Sequence, residues 1–130
     1  MPKVISIVDD DESFRHALTD LVRSLGHAVA SFASAEEFLN SDRVNDTACL
    51  ITDVKMPGMS GFELQSALLA RAARMPVIFV AADSRARARR QALASGALAY
   101  LVKPFREERL VRLLGQALGD HRVSPDASPS

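Results

Sequence analysis

The chain has 130 residues, 48% of them apolar, and its sixteen basic and sixteen acidic side chains cancel to a formal net charge of zero. This length and composition predict one globular domain, and the charge balance excludes an overall field that attracts nucleic acid or anionic membrane. The single cysteine, Cys49, excludes a disulfide framework, and no apolar run approaches the roughly 20 residues of a membrane span. We therefore expect a soluble cytoplasmic protein.

Short β-rich runs alternate with helical patterns along the chain. Strands are predicted over residues 4–8, 28–32, 48–52, 77–81 and 98–102. Strict alternation with nearly continuous apolar strands predicts a parallel sheet covered by helices on both faces. The expected fold is therefore a doubly wound, flavodoxin-like α/β sandwich with five strands and five helices.

A helix is predicted after each strand. The first ends before Gly26 and has one apolar stripe, formed by Phe14, Leu18, Leu21, Val22 and Leu25. The second and third begin at capping boxes, Ser34 with Glu37 and Ser60 with Glu63. The fourth ends at Gly96, and the fifth carries an apolar stripe at Leu110, Leu113, Leu114, Ala117 and Leu118. The Ser/Pro-rich residues 121–130 are expected to be a disordered tail or the start of a linker.

Charged residues stand at the ends of three predicted strands: Asp9 and Asp10 after the first, Asp53 after the third and Lys103 after the fifth. In doubly wound sheets, ligands bind beyond the carboxyl ends of the strands. With the strand order 2-1-3-4-5, the three carboxylates converge in one crevice, where a hard cation, Mg²⁺ or Mn²⁺, would hold them together. Each residue alone also has an ordinary explanation, since an aspartate here can cap the first helix and Lys103 can be solvated.

The segments "IVDDDE", "LITDVKMPGMSGFEL" and "YLVKPF" resemble the receiver domain of bacterial two-component response regulators, especially the nitrogen-fixation-regulator subfamily. The resemblance covers about residues 3–119, and we take residues 1–120 as the domain. It implies that Asp53 accepts a phosphoryl group from a sensor histidine kinase or phosphotransfer protein. It also implies Mg²⁺ bound by Asp53, by Asp10, by Asp9 through water and by the Lys55 carbonyl. Lys103 would contact the phosphoryl group and precede a cis Pro104.

The sequence departs from the family pattern at Ala81, where receivers normally have Ser or Thr. That hydroxyl normally donates to the phosphoryl group and moves on activation, which carries an aromatic residue of the fifth strand inward; Tyr100 occupies the aromatic position. Losing the hydroxyl removes about 1 to 3 kcal/mol of interaction in a shielded site. We expect an atypical switch, with phosphorylation retained and its coupling to Tyr100 weakened or rerouted.

Two further expectations concern the surface around this crevice. Lys55 and Asp83 lie two residues after Asp53 and Ala81, and we expect them to form a salt bridge over the site entrance. Four arginines, Arg85, Arg87, Arg89 and Arg90, make the fourth helix basic. Without an aromatic platform or helix-turn-helix pattern they indicate a solvated face rather than direct DNA binding. The resemblance implies a homodimer or partner surface formed by helix 4, strand 5 and helix 5.

Two alternatives to a phosphorylation switch remain open at this point. A phosphatase of the haloacid-dehalogenase type also uses a strand-end aspartate with Mg²⁺, but it needs a second acid where Lys55 stands. A degenerate receiver would act as a phosphorylation-independent interaction module, which Ala81 makes credible. Under the preferred hypothesis the protein is a signalling phosphoacceptor rather than a metabolic enzyme, either complete or cut from a longer regulator with a C-terminal DNA-binding domain.

Overall fold

The computed structural model describes residues 3–119, so the predicted tail over residues 121–130 lies outside the described part. The strands are β1 (Val4–Val8), β2 (Val29–Phe32), β3 (Thr47–Asp53), β4 (Val77–Ala81) and β5 (Ala99–Val102). The helices are α1 (Glu12–Ser24), α2 (Ala35–Leu39), α3 (Gly61–Ala70), α4 (Ala86–Ala94) and α5 (Glu107–Ala117). A short 3-10 helix, Val44–Asp46, which the sequence patterns did not predict, leads into β3.

The five strands form one parallel sheet in the order β2-β1-β3-β4-β5, as predicted. Strand β3 lies at the centre, between β1 and β4. All carboxyl ends therefore point to the same edge of the sheet, and the residues that follow β1, β3 and β5 can meet there.

The sheet separates two apolar clusters, which explains why its central strands are buried on both faces. On one side α1 and α5 bury Leu18, Val22, Leu110 and Leu114. On the other side α2, α3 and α4 bury Phe38, Leu64, Leu68 and Ala92. Truncating one of these leucines to alanine in such a core costs about 2 to 5 kcal/mol. The rigid sheet thus fixes the positions of the side chains at its edge.

Strand limits differ from the predictions by one residue at several ends. Strands β2 and β5 begin one residue later than predicted, and β3 is longer by one residue at each end. Asp53 pairs with Val80 of β4, so it is the last residue of β3 rather than the first residue after it. The sheet itself consequently holds Asp53 in place.

The helix caps follow the predicted signals, with one difference. Ser60 and Glu63 form a complete capping box. At α2 the Ser34 hydroxyl accepts from the Glu37 N–H, but the Glu37 carboxylate accepts from the Ala33 N–H, one residue before the cap. Helix α1 ends before Gly26, whose φ of 95° is the left-handed conformation expected of a C-terminal glycine.

Candidate functional site

Three carboxylates meet at the carboxyl edge of the sheet. One oxygen each of Asp9, Asp10 and Asp53 lies within 4.8 Å of the others. Asp9 is only 2% exposed, and its Oδ1 accepts a 2.9 Å hydrogen bond from the Asp11 N–H. Asp11, rather than Asp10, caps α1 through its Oδ1, which accepts from the Phe14 N–H. Asp10 is thus free of the capping role that the sequence left open.

Lys103 is the cation that faces this cluster. Its Nζ lies 3.2 Å from Oδ2 of Asp9 and 3.6 Å from Oδ2 of Asp53. The same ammonium lies 4.1 Å from the centroid of the Phe14 ring, a favourable cation–π distance. Sequence reasoning assigned Phe14 only to the apolar stripe of α1, so its place under Lys103 was missed. The Lys103–Pro104 bond is cis, as predicted.

The Asp53 carboxylate is held at one oxygen and open at the other. Its Oδ1 accepts a 2.8 Å hydrogen bond from the Val54 N–H, while Oδ2 faces Lys103. Desolvation, and then the charge of Asp9, raises the pKa of Asp53 to about 6, although Lys103 and the Val54 N–H act in the opposite direction. The charged form of Asp53 is therefore disfavoured by burial and by the neighbouring Asp9, and Lys103 does not fully offset these effects.

The loop after Asp53 depends on two glycines. Gly58 has a φ of 76°, and a Cβ there would lie 2.7 Å from Oε2 of Glu36, which accepts from the Met59 N–H. A Cβ on Gly61 would collide with the backbone carbonyl of Asp53, because the Gly61 N–H donates to the Val54 carbonyl at 2.8 Å. The "MPGMSG" segment thus closes tightly onto the end of β3. The role of Glu36 comes from a contact 23 residues away along the chain and had no sequence signal.

Ala81 ends β4 beside β5, as predicted. It pairs with Val102, its carbonyl accepts from the Lys103 N–H at 2.8 Å, and it is 3% exposed. Tyr100 is buried, and its hydroxyl donates a 2.7 Å hydrogen bond to the backbone carbonyl of Asp83. Burial raises the pKa of Tyr100, so the hydroxyl stays protonated and remains a donor. The aromatic side chain therefore lies inward in the structure.

The predicted salt bridge between Lys55 and Asp83 is wrong. Both residues line the same cavity, but Asp83 binds Arg85, whose Nε and Nη2 donate to its two carboxylate oxygens at 3.0 and 2.9 Å. These hydrogen bonds lower the pKa of Asp83 to about 2. Arg85 lies only two residues from Asp83, so its guanidinium reaches the Asp83 carboxylate with two N–H donors at little cost in side-chain entropy. Lys55 would have to extend across the entrance of the cavity to do the same.

A cavity of about 830 Å³ adjoins the carboxylate cluster and runs toward α4. It is lined by Asp53, Val54, Lys55, Phe62, Ala81, Ala82, Asp83, Arg85, Arg87, Ala88, Gln91 and Lys103. Three clustered carboxylates with one facing lysine are a donor set suited to a hard divalent cation, because carboxylate oxygens are its preferred ligands. The edge of the sheet can thus hold a cation and an anion side by side.

A family model described as the response regulator receiver domain matches residues 5–115. The chain belongs to the response regulator receiver domain family. Receiver domains are signalling modules rather than classical enzymes, and they bind Mg²⁺ at an acidic pocket, which the aspartate cluster of this chain fits. The family is therefore not that of the haloacid-dehalogenase phosphatases, the alternative that the sequence left open.

Relatives and solved structures agree with that membership. The response regulator protein TodT of Pseudomonas putida is 41% identical over 115 residues, covering 88% of this receiver and 51% of TodT. The transcriptional regulatory protein FixJ of Azorhizobium caulinodans is 36% identical over 115 residues, covering 88% of this chain and 54% of FixJ. The chain thus spans about half the length of the curated relatives it matches.

Two solved receiver structures have the same fold, and nearly the whole of each solved chain is matched, rather than about half. The response regulator receiver protein from Burkholderia phymatum is 39% identical with a TM-score of 0.78, covering 90% of this chain and 95% of that one. The crystal structure of FixJ-N is 30% identical with a TM-score of 0.81, covering 92% and 96%. Within residues 3–119, no helix of this receiver is long and apolar enough to cross a membrane.

Proposed function

We propose that this receiver accepts a phosphoryl group on Asp53 from a phosphohistidine of a sensor histidine kinase or phosphotransfer protein, in a Mg²⁺-dependent reaction. The observation that carries the proposal is the 3.6 Å approach of Lys103 Nζ to Asp53 Oδ2, beside the carboxylates of Asp9 and Asp10. A nucleophilic oxygen, an anion-binding ammonium and a cation-binding cluster are the parts that phosphoryl transfer needs.

In this reaction Oδ2 of Asp53 attacks the phosphorus atom, and an acyl phosphate forms. The phosphorus–nitrogen bond to the donor histidine breaks, and its electron pair stays on the imidazole. Oδ1 keeps its hydrogen bond from the Val54 N–H, which orients the carboxylate for attack. Lys103 binds a phosphoryl oxygen and stabilises the negative charge that develops there. The ring of Phe14 and the carboxylate of Asp9 hold the lysine in place.

Asp9, Asp10, Asp53 and the backbone carbonyl of Lys55 are the groups that would hold Mg²⁺ or Mn²⁺. When bound, the ion supplies neutralisation of the phosphoryl oxygens. The raised pKa of Asp53, which comes first from desolvation and then from the charge of Asp9, supports this assignment, since such a carboxylate gains most from a nearby positive charge.

Ala81 makes the proposed switch atypical. A Cβ methyl cannot donate to the phosphoryl group, so about 1 to 3 kcal/mol of interaction is absent if the site is shielded. Tyr100 is buried and bonded to the Asp83 carbonyl without help from a hydroxyl at position 81. Phosphorylation of Asp53 therefore reaches Tyr100 weakly or by another route.

The inward Tyr100 also favours a second candidate function. A degenerate receiver would present one fixed surface and bind its partner without phosphorylation. The Tyr100 hydroxyl bond to Asp83 would then hold the partner-binding conformation permanently. The intact cluster of Asp9, Asp10, Asp53 and Lys103 favours the phosphoacceptor instead.

The proposed domain limits, location and partners follow from the same proposal. Residues 1–120 would form the receiver and residues 121–130 a tail or linker, joined in a longer regulator to a C-terminal DNA-binding domain. A kinase partner implies a cytoplasmic location. The surface of α4, β5 and α5 carries the exposed apolar side chains Leu93 and Val111 beside the arginines of α4, and it is our candidate for a homodimer contact.

Incubation with acetyl phosphate, with and without Mg²⁺, tests the phosphoacceptor. We expect an intact-mass increase of one phosphoryl group that requires Mg²⁺ and is absent from Asp53→Asn. A parent protein that gains no mass, yet still binds its partner, would instead support the degenerate module.

A further inference from the structure

Arg85 is the residue that connects the crevice to Tyr100. Its side chain lines the cavity that also contains Asp53 and Lys103. The same guanidinium is bound by both carboxylate oxygens of Asp83, at 3.0 and 2.9 Å. Its side chain is 77% exposed, so the contacts with Asp83 hold it rather than packing. Such a side chain can change partner at low cost.

Asp83 in turn binds Tyr100. The Asp83 carboxylate accepts from the Arg85 side chain and also from the Arg85 backbone N–H, at 2.9 Å. The backbone carbonyl of Asp83 accepts from the Tyr100 hydroxyl at 2.7 Å. Arg89 covers the Tyr100 ring at 5.7 Å from the centroid. The position of the loop at Asp83 therefore decides where the Tyr100 hydroxyl finds its acceptor.

We propose that Arg85 is a phosphoryl-binding residue that takes over the role of the missing hydroxyl at position 81, and that its transfer from Asp83 to the phosphoryl group carries the signal to Tyr100. This inference rests on the proposed phosphorylation of Asp53. Ala81 offers no side-chain donor, and the cavity beyond it is lined by two arginines, Arg85 and Arg87. A phosphoryl group carries about −1.5 to −2 charge against −1 for Asp83, and it competes for the guanidinium.

The transfer of Arg85 from Asp83 to the phosphoryl group explains how Tyr100, although its side chain is already buried, can still respond to phosphorylation. With Arg85 on Asp83, the loop is fixed by three hydrogen bonds and holds the Tyr100 hydroxyl. With Arg85 on the phosphoryl group, the Asp83 carboxylate loses its two side-chain donors, and the carbonyl that receives the Tyr100 hydroxyl is free to move. Arg87 also lines the cavity but, within residues 3–119, its side chain makes no hydrogen bond or ion pair with Asp83 or Tyr100.

The chain offers a direct probe, because Tyr100 is its single tyrosine. Fluorotyrosine labelling gives one fluorine NMR resonance that reports on Tyr100 alone. We would record it for the parent, Arg85→Ala, Arg85→Lys, Arg87→Ala and Arg90→Ala, before and after phosphorylation with acetyl phosphate and Mg²⁺. The lifetime of the adduct is measured in parallel by intact mass.

We expect phosphorylation to shift the parent resonance. In unphosphorylated Arg85→Ala, the Tyr100 resonance should already be displaced toward its position in the phosphorylated parent. The phosphorylated Arg85→Ala adduct should decay about 10-fold faster than the parent adduct. Arg85→Lys keeps the positive charge but loses the planar guanidinium that binds two oxygens at once, so the lifetime of its adduct should be intermediate. Arg87→Ala removes a charge from the same cavity and should leave the unphosphorylated resonance in place; Arg90→Ala, outside the cavity, should match the parent.

Equal lifetimes and equal resonances for Arg85→Ala and Arg87→Ala would overturn the assignment of Arg85 while the phosphoacceptor function stands. A parent adduct without any shift at Tyr100 would overturn the coupling. A parent that forms no adduct would overturn the proposed function itself, together with this inference.

Discussion

The Nζ of Lys103 lies 3.2 Å from Oδ2 of Asp9, a carboxylate that is 2% exposed. These residues are 94 positions apart, and only the parallel sheet brings them together. The pair orients the ammonium so that it also faces Asp53. The residue that follows β5 thereby reaches the carboxylate at the end of β3.

Lys103→Met tests the role of this ammonium. Removal of a preorganised donor to a developing oxyanion lowers reaction rates about 100-fold or more, and we expect that loss in the rate of Asp53 phosphorylation by acetyl phosphate. Lys3→Met removes the same charge from an exposed position and serves as the control. A Lys103→Met protein that is folded by circular dichroism and phosphorylated at the parent rate would refute the role.

Asp53→Asn should stabilise the metal-free protein above about pH 7. The pKa of Asp53 is raised from 3.8 to about 6, so the folded state binds a proton more tightly than the unfolded chain. The protonated Asp53 carboxyl therefore stabilises the folded state at low pH, and this stabilisation is lost as the pH rises through about 6. A shift of this size corresponds to about 3 kcal/mol in a shielded site, and solvent screening reduces it to about 1 to 2 kcal/mol.

Urea unfolding in the presence of a chelator measures this effect. The advantage of Asp53→Asn should shrink as the pH falls from about 7 toward 4, because the parent carboxylate is then protonated in the folded state. Added Mg²⁺ should stabilise the parent more than the variant, since binding to the folded state alone raises stability. A stability difference that does not change with pH would contradict the electrostatic account of Asp53.

Ala81→Thr should strengthen the binding of phosphoryl analogues. A new hydroxyl at the end of β4 adds about 1 to 3 kcal/mol, or about 5 to 150-fold, to the affinity for beryllofluoride in the presence of Mg²⁺. Isothermal titration calorimetry measures the change, with Ala94→Thr, at an exposed position that does not line the cavity, as the control. Equal affinities for Ala81→Thr and the parent would mean that the alanine is only a packing substitution.

Gly61→Ala should disturb the loop that carries the site. The added Cβ collides with the Asp53 carbonyl, so the start of α3 has to move away from β3. We expect a loss of about 1 to 3 kcal/mol in the free energy of unfolding and weaker Mg²⁺ binding. Ser66→Ala, on an exposed position of the same helix, should be neutral or slightly stabilising. Similar unfolding curves for the two variants would show that the close approach is dispensable.

The parts of the site that follow from the parallel sheet could be predicted from the sequence. A charged residue ends β3 and follows directly after β1 and β5, and parallel pairing of these strands is enough to bring Asp9, Asp53 and Lys103 together. Contacts decided by side-chain packing could not be predicted. Nothing in the local pattern indicates that Phe14 lies against Lys103 or that Glu36 binds the loop at Met59.

The error at Lys55 and Asp83 has the same origin. Symmetric spacing after two strand ends suggested a bridge across the entrance, but Asp83 had a nearer partner in Arg85. Short-range competition for a carboxylate depends on rotamers that a sequence does not specify.

The most direct test of the account is to locate the phosphoryl group. After incubation with acetyl phosphate and Mg²⁺, peptide mass spectrometry with borohydride reduction of the acyl phosphate identifies the modified residue. We predict modification at Asp53, absent when Mg²⁺ is chelated and absent from Asp10→Asn. Modification at Asp9 or Asp10, or an adduct that forms equally well with chelator present, would contradict the account.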